Sequence, residues 1–114
     1  MDLYEQQMRT IAIDELKKRM KTRKPYLLAD ARSLTNFTER HIPGAVPIPA
    51  NEVEELINSF DKDLEVIIYC GGYDCSASTI AAKKFIEKGF KNVMIYRGGI
   101  KEWAEKGNPT ENNY

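Results

Sequence analysis

The stretch Val66-Ile67-Ile68-Tyr69-Cys70-Gly71-Gly72-Tyr73-Asp74-Cys75-Ser76-Ala77-Ser78-Thr79-Ile80-Ala81-Ala82 constrains the fold more than any other part of the chain. It opens as a short run of β-branched and aromatic residues, reaches a cysteine at the end of that run, passes through a glycine pair and then takes up helical spacing. Cys70 therefore sits where a strand hands over to a helix. At the carboxyl edge of a parallel sheet the following helix presents unpaired N–H groups and the positive end of its dipole, both of which stabilise negative charge. A reactive cysteine is the first expectation.

The remaining segments support a sheet of this kind. Tyr26-Leu27-Leu28-Ala29 reads as a second buried strand that delivers Asp30 and Arg32 at its end, and Asn92-Val93-Met94-Ile95-Tyr96 as the last strand. A brief edge strand is expected over Thr10 to Ile13, before a helix marked by Ile13, Leu16 and Met20 that Ala12 leaves without a side-chain cap. Ser33 is placed to cap a short helix holding Leu34 and Phe37. His41-Ile42-Pro43-Gly44-Ala45-Val46-Pro47-Ile48-Pro49 must be extended, because its prolines forbid a helix interior. Asn51 and Glu54 form a plausible capping pair for a helix with Val53, Leu56, Ile57 and Phe60 on one face, closed by a turn at Asp61-Lys62-Asp63. Ser76 or Ser78 would cap the helix after Cys70, whose buried stripe is read as Ile80, Ala81, Phe85 and Ile86, with Gly89 as its left-handed stop. Arg97-Gly98-Gly99 turns the chain into a final helix carrying Ile100, Trp103 and Ala104, which Gly107-Asn108-Pro109 ends. Strands alternating with helices at this spacing imply an α/β fold, a mostly parallel sheet of about five strands covered by helices on both faces.

At 114 residues the chain has the size of one domain. The expected division is an arm or short helix over 1–9, the domain over 10–106 and a C-terminal tail over 107–114, disordered from Thr110 to Tyr114. Seventeen basic residues balance seventeen acidic ones. The cluster Lys17, Lys18, Arg19, Lys21, Arg23 and Lys24 reads as a solvated helix face, so nucleic acid is not an expected partner. No apolar segment approaches the roughly 20 residues needed to cross a bilayer, and Met1-Asp2-Leu3-Tyr4-Glu5 lacks the order of a signal peptide, so a cytoplasmic protein is expected. Two cysteines this close together cannot staple distant segments, and their use is expected to be chemical.

Over about residues 10 to 106 the chain resembles the rhodanese-like domain. Four patterns in order carry the resemblance: Leu28-Ala29-Asp30-Ala31-Arg32 with Phe37 behind it, His41-Ile42-Pro43-Gly44-Ala45, Val66-Ile67-Ile68-Tyr69-Cys70, and Gly89-Phe90-Lys91-Asn92-Val93 leading to Gly98-Gly99-Ile100-Lys101-Glu102-Trp103. The resemblance implies a sulfurtransferase fold in which Cys70 takes a sulfane sulfur from a donor such as thiosulfate, holds it as a persulfide and passes it to a thiol or to cyanide. The N–H groups of Gly71, Gly72, Tyr73, Asp74, Cys75, Ser76 and Ala77 would converge on its sulfur as an anion nest and lower its pKa. The loop departs from the usual family pattern: it is about two residues longer, has no Arg or Lys, and carries a second thiol in Cys75, as some members with a longer loop do.

Each candidate has a plainer alternative. Cys70 could be a small buried residue, and Cys75 could resolve a persulfide as a Cys70–Cys75 disulfide, share the sulfur, or pack at the helix start. His41, the only histidine, is read as part of a structural turn. Asp30 and Arg32 read first as partners tying a strand end, and only second as substrate contacts. Tyr73 and Asp74 would line the entrance, and Arg97, at another strand's carboxyl end, could supply the cation the loop lacks. Two thiols without a nearby His give half a structural zinc shell, so no metal is expected, and no cofactor. Phosphatase chemistry on this fold needs an arginine six residues after the nucleophile, where Ser76 stands. The competing class is a non-catalytic sulfur carrier, redox switch or protein-interaction module built on the Cys70/Cys75 pair. The expected partners are a small sulfur donor and a thiol or protein acceptor, with a monomer as the default.

Overall fold

Strands and helices alternate along the described residues: β1 (Met8–Thr10), α1 (Ile13–Met20), β2 (Tyr26–Asp30), α2 (Leu34–Glu39), β3 (Val46–Pro47), α3 (Val53–Leu56), β4 (Glu65–Tyr69), α4 (Ala77–Glu87), β5 (Asn92–Tyr96) and α5 (Gly99–Glu105). The computed structural model describes residues 8–113. The sheet has five strands in the order β1-β5-β4-β2-β3, and every pairing is parallel. β4 lies at the centre, in register with β2 from Tyr26 opposite Glu65 to Asp30 opposite Tyr69, and with β5 from Asn92 to Tyr96. From β2 the chain moves outward to β3, whereas from β4 it moves outward the other way to β5. In open parallel sheets such a reversal of winding opens a crevice beyond the carboxyl ends of the two strands. Asp30 and Cys70 stand at that edge.

Both faces of the sheet are covered. Val66, Ile68 and Cys70 of β4 and its exit join Leu27, Ala29, Val93 and Ile95 against Val53, Ile57, Ala81, Ala82 and Phe85 from the α3 and α4 side. The intervening Ile67 and Tyr69 join Leu28, Met94 and Tyr96 against Leu16, Ile100 and Trp103 of α1 and α5. Because successive strand side chains point to opposite faces, this period of two already fixes which helix each residue at the end of β4 meets.

Several expectations shift in detail. The edge strand is Met8–Thr10 rather than Thr10 to Ile13, because Ile13 already starts α1; the part of the expected N-terminal arm before Met8 lies outside the described residues. Ser33 does cap α2, accepting from the Asn36 N–H at 3.2 Å. The Asn51/Glu54 pair does not cap α3: Glu52 is its N-cap and makes no side-chain cap bond, and α3 is a single turn with Leu56 42 % exposed. Ser76 stands at the N-cap of α4 without a side-chain bond, and Ile80 is 46 % exposed. The buried stripe runs instead through Ser78, Ala81, Ala82, Phe85 and Ile86. Gly89 does stop the helix, at φ +96°.

The described part of the tail, expected to be disordered, is bonded to the domain. Glu111 and His41 exchange two backbone hydrogen bonds of 2.9 Å, and the Asn113 N–H donates to the Thr38 carbonyl at 2.9 Å. His41 itself is buried, stacked on Phe37 at 3.9 Å, and its Nδ1–H donates to the Phe37 carbonyl at 2.7 Å. The basic cluster is pinned at Glu65, which accepts from Arg19 at 3.1 Å and faces Lys24 at 3.3 Å.

Candidate active site

Cys70 follows β4 on the face that α4 covers, and its side chain is 2 % exposed. Its S–H donates to the Cys75 carbonyl at 3.4 Å, and the Ser78 hydroxyl lies at 3.4 Å from the same sulfur. The loop closes by a turn in which the Cys75 N–H donates to the Gly72 carbonyl at 3.1 Å. On the other side, the first turn of α5 holds the loop's start: Ile100 N–H donates to the Cys70 carbonyl and Lys101 N–H to the Gly71 carbonyl, both at 3.0 Å. This close approach needs Gly99, at φ +63°, where a Cβ would strike the Cys70 carbonyl oxygen.

The two thiols differ in electrostatics. Burial pushes the Cys70 thiol up, and its hydrogen bond to Cys75 adds to this, against a lowering by the hydroxyl and N–H of Ser78. For Cys75, burial acts upward too, yet the thiol is brought below its ordinary range. The Cys70 thiol, the N–H groups of Gly71 and Ala77, and the charge of Arg32 together outweigh the burial. Strand periodicity turns the Cys70 sulfur inward onto Ser78, whose N–H and hydroxyl lower the thiol, and the Cys75 amide closes the turn onto Gly72.

Asp30 is fully buried and grips Arg32 through both carboxylate oxygens, with the Arg32 Nη2 to Asp30 Oδ2 bond at 2.8 Å. Arg32 also donates to the Arg40 carbonyl at 2.6 Å. It is thereby a tie between segments and, in addition, a positive charge felt by Cys75. Arg97 instead donates to Thr79 Oγ1 at 3.3 Å, on α4. Beside the loop lies a cavity of about 580 Å³. Residues 71–75 form one wall, and Gly98 with Lys101, Glu102, Glu105 and Lys106 of α5 form the other, so Tyr73, Asp74 and Cys75 face it while Cys70 does not line it. Glu102 is held at that wall by the Tyr96 hydroxyl, which donates to it at 2.7 Å.

Comparison with known proteins decides the family. The model of the Rhodanese-like domain matches residues 12–106. The chain belongs to the rhodanese-like domain family. The candidate sulfur carrier protein YrkF of Bacillus subtilis (strain 168) is 29 % identical over 96 residues, which make up 84 % of this chain and 51 % of that protein. This chain thus spans about half the length of that relative. The thiosulfate sulfurtransferase GlpE of Coxiella burnetii (strain RSA 493 / Nine Mile phase I) is 31 % identical over 77 residues, covering 68 % of this chain and 70 % of that protein. Among solved structures, the BH2092 protein of Bacillus halodurans superposes with a TM-score of 0.86 at 31 % identity, over 92 % of this chain and 77 % of that one.

Within this rhodanese-like domain, the residues that sequence reasoning missed are Ser78, Lys101, Glu102 and Lys106. Ser78 opens the spacing 78, 81, 82, 85, 86, and including it would have marked it as buried and facing β4. The α5 residues gave no local signal. They reach the site because β5 neighbours β4 and α5 begins three residues after β5 ends. What the arrangement offers chemically is a pair of free thiols in one loop, beside a cavity whose wall carries Lys101 and Lys106 together with Asp74, Glu102 and Glu105. Among the described residues no three His, Cys, Asp or Glu side chains stand together as a metal site, and no helix is long and apolar enough to cross a membrane.

Proposed function

We propose that this domain is a sulfurtransferase that carries sulfane sulfur as a persulfide on Cys70 and delivers it to an acceptor thiol. The observation that carries the reading is the Cys70 sulfur at the end of the central strand, 3.4 Å from the Cys75 carbonyl, in a loop whose second cysteine lines a cavity of about 580 Å³. A persulfide cycle needs a thiolate, a place for the displaced proton and room for a donor, and no other acid, metal or organic cofactor. The outer sulfur of the donor is transferred to Cys70, the donor's bond to that sulfur breaks, and its remainder leaves as an anion that takes up the proton Cys70 releases. Delivery then moves the terminal sulfur on to an acceptor thiolate and returns Cys70 as a thiolate. Lys101 and Lys106 bring cationic groups to the cavity, where they stand among Asp74, Glu102 and Glu105. The relatives that bear the names of a thiosulfate sulfurtransferase and a candidate sulfur carrier support the same chemistry.

The test is sulfur uptake and turnover. Incubated with thiosulfate or a low-molecular-weight persulfide, the intact protein gains the mass of one sulfur, which a dithiol removes, and Cys70→Ser abolishes steady-state transfer. A protein whose mass stays unchanged under every donor refutes the reading. The contact between the two thiols also supports a second reading, a redox switch in which Cys75 captures an oxidised Cys70 as a disulfide. A Cys70–Cys75 disulfide stable at cytosolic thiol poise, with no sulfur turnover, decides for the switch.

A further inference from the structure

We propose that Cys75 is the exchange thiol of this site: sulfur arrives on Cys75 from the cavity beside α5 and passes from there to Cys70. The proposal rests on the sulfurtransferase reading and assigns within it which cysteine meets the donor. Two geometric observations carry it, and the electrostatics of the two thiols agree. Cys75 lines the cavity and Cys70 does not. Cys70 is 2 % exposed, with its sulfur turned to Ser78 and the Cys75 carbonyl, whereas Cys75 is only partly buried. The surroundings of Cys75 lower its thiol, while burial raises that of Cys70. A donor entering the cavity therefore reaches a hydrogen-bonded, anion-stabilised sulfur at Cys75 before it can reach Cys70.

The chemistry balances without an oxidant. The Cys75 thiolate attacks the terminal sulfur of a hydropersulfide donor; the donor S–S bond breaks, its thiolate leaves, and Cys75 becomes a hydropersulfide. The leaving thiolate takes up the proton that Cys70 releases. The Cys70 thiolate then attacks the terminal sulfur on Cys75, a new S–S bond forms on Cys70, and the Cys75 thiolate departs ready for another donor. The net change is one sulfur moved from donor to Cys70 and one proton moved from Cys70 to the donor's thiol.

Delivery runs through the same steps in reverse, so the surface thiol also faces the acceptor.

The experiment is a time course with cysteine persulfide generated in solution, quenched with an alkylating agent and read by peptide mass spectrometry. Wild type, Cys70→Ser, Cys75→Ser and Cys75→Ala are compared, each first checked for a cooperative unfolding transition. The expected result is sulfur on Cys75 before Cys70 in the wild type, sulfur that loads on Cys75 and stays there in Cys70→Ser, and loading of Cys70 slowed at least about tenfold in both Cys75 variants. Either Cys75 variant loading Cys70 at the wild-type rate overturns the proposal while leaving the sulfurtransferase reading intact. A wild type that takes sulfur on neither cysteine refutes that reading and the proposal with it.

Discussion

Gly99 couples the fold to the site, and its replacement by alanine gives a quantitative test of that coupling. Two costs add. At φ +63° an L side chain occupies the left-handed region, at roughly 1–2 kcal/mol. The new Cβ would also lie 2.7 Å from the Gly71 carbonyl carbon and 2.8 Å from the Gly72 nitrogen, both backbone atoms that cannot swing aside. Overpacking of this kind costs about 1–3 kcal/mol, so the sum is about 2–5 kcal/mol. Gly107 separates the two terms, because its φ is +79° with nothing within 4 Å of a Cβ. Gly107→Ala should therefore lose only the conformational share, about 1–2 kcal/mol. Urea unfolding of both variants measures the difference, and a separation of about 1–3 kcal/mol between their extrapolated stabilities is expected. The displacement should also loosen the bonds from Ile100 and Lys101 to the carbonyls of Cys70 and Gly71, and sulfur uptake should fall with it. A Gly99→Ala protein within about 0.5 kcal/mol of Gly107→Ala, a margin expected for surface changes, would refute the steric account.

Other perturbations test the remaining parts of the site. Asp30→Asn leaves Arg32 without its bidentate carboxylate in a buried setting and should cost about 3 kcal/mol in urea unfolding; a loss under about 1 kcal/mol would show that the pair is not a structural tie. Ser78→Ala removes the hydroxyl that lowers the Cys70 thiol, so alkylation of Cys70 near neutral pH should slow about threefold, the effect of one ordinary hydrogen bond; an unchanged rate argues against that contact. Alkylation of Cys75 should reach half its limiting rate below the roughly pH 8.5 of a free cysteine, since Cys70, the Gly71 and Ala77 amides and Arg32 favour its thiolate, whereas Cys70 should do so above that pH; the reverse order would contradict the geometry. Asp74, Lys101 and Glu102 also line the cavity that Cys75 faces, so this profile should be measured at more than one ionic strength. A chain ending at Thr110 loses the backbone bonds of Glu111 and Asn113 and should be destabilised by about 1–2 kcal/mol, while an unchanged urea midpoint would mean the tail adds nothing.

The sheet was legible because its signals are local. The run at Glu65–Tyr69, the capping serine at Ser33 and the left-handed stop at Gly89 each act through a few adjacent residues. Where reasoning went astray, the deciding contact was distant. The most hydrophobic residue of the first turn of α4, Ile80, was taken for the core, but the axis of α4 over the sheet puts the smaller Ser78 inward and leaves Ile80 outside. Nothing in Thr110-Glu111-Asn112-Asn113 announces pairing; His41, seventy residues earlier, supplies the partner. Arg97 looked like a source of charge because of its strand-end position, yet it lies on Thr79, and Lys101 and Lys106 face the cavity from a helix that only the sheet order brings there.

The same topology explains why two cysteines four residues apart in the loop acquire different characters. Cys70 inherits its direction from β4: a residue on the Val66 and Ile68 face must point at α4, and the sulfur is buried as a consequence of the strand's period. Cys75 lies beyond the turn closed by its own N–H on Gly72, free of the strand's register, and the amides of Gly71 before the turn and Ala77 after it flank its sulfur. If the loop were cut back by deleting Tyr73 and Asp74, the Gly72–Cys75 turn could not form, and the amides after the glycines would be free to face Cys70. Such a variant should show a Cys70 thiol that ionises at lower pH than in the intact chain, measured by alkylation against pH. An unmoved Cys70 profile in a folded deletion variant would mean that strand direction alone, and not the inserted turn, keeps the backbone amides away from it.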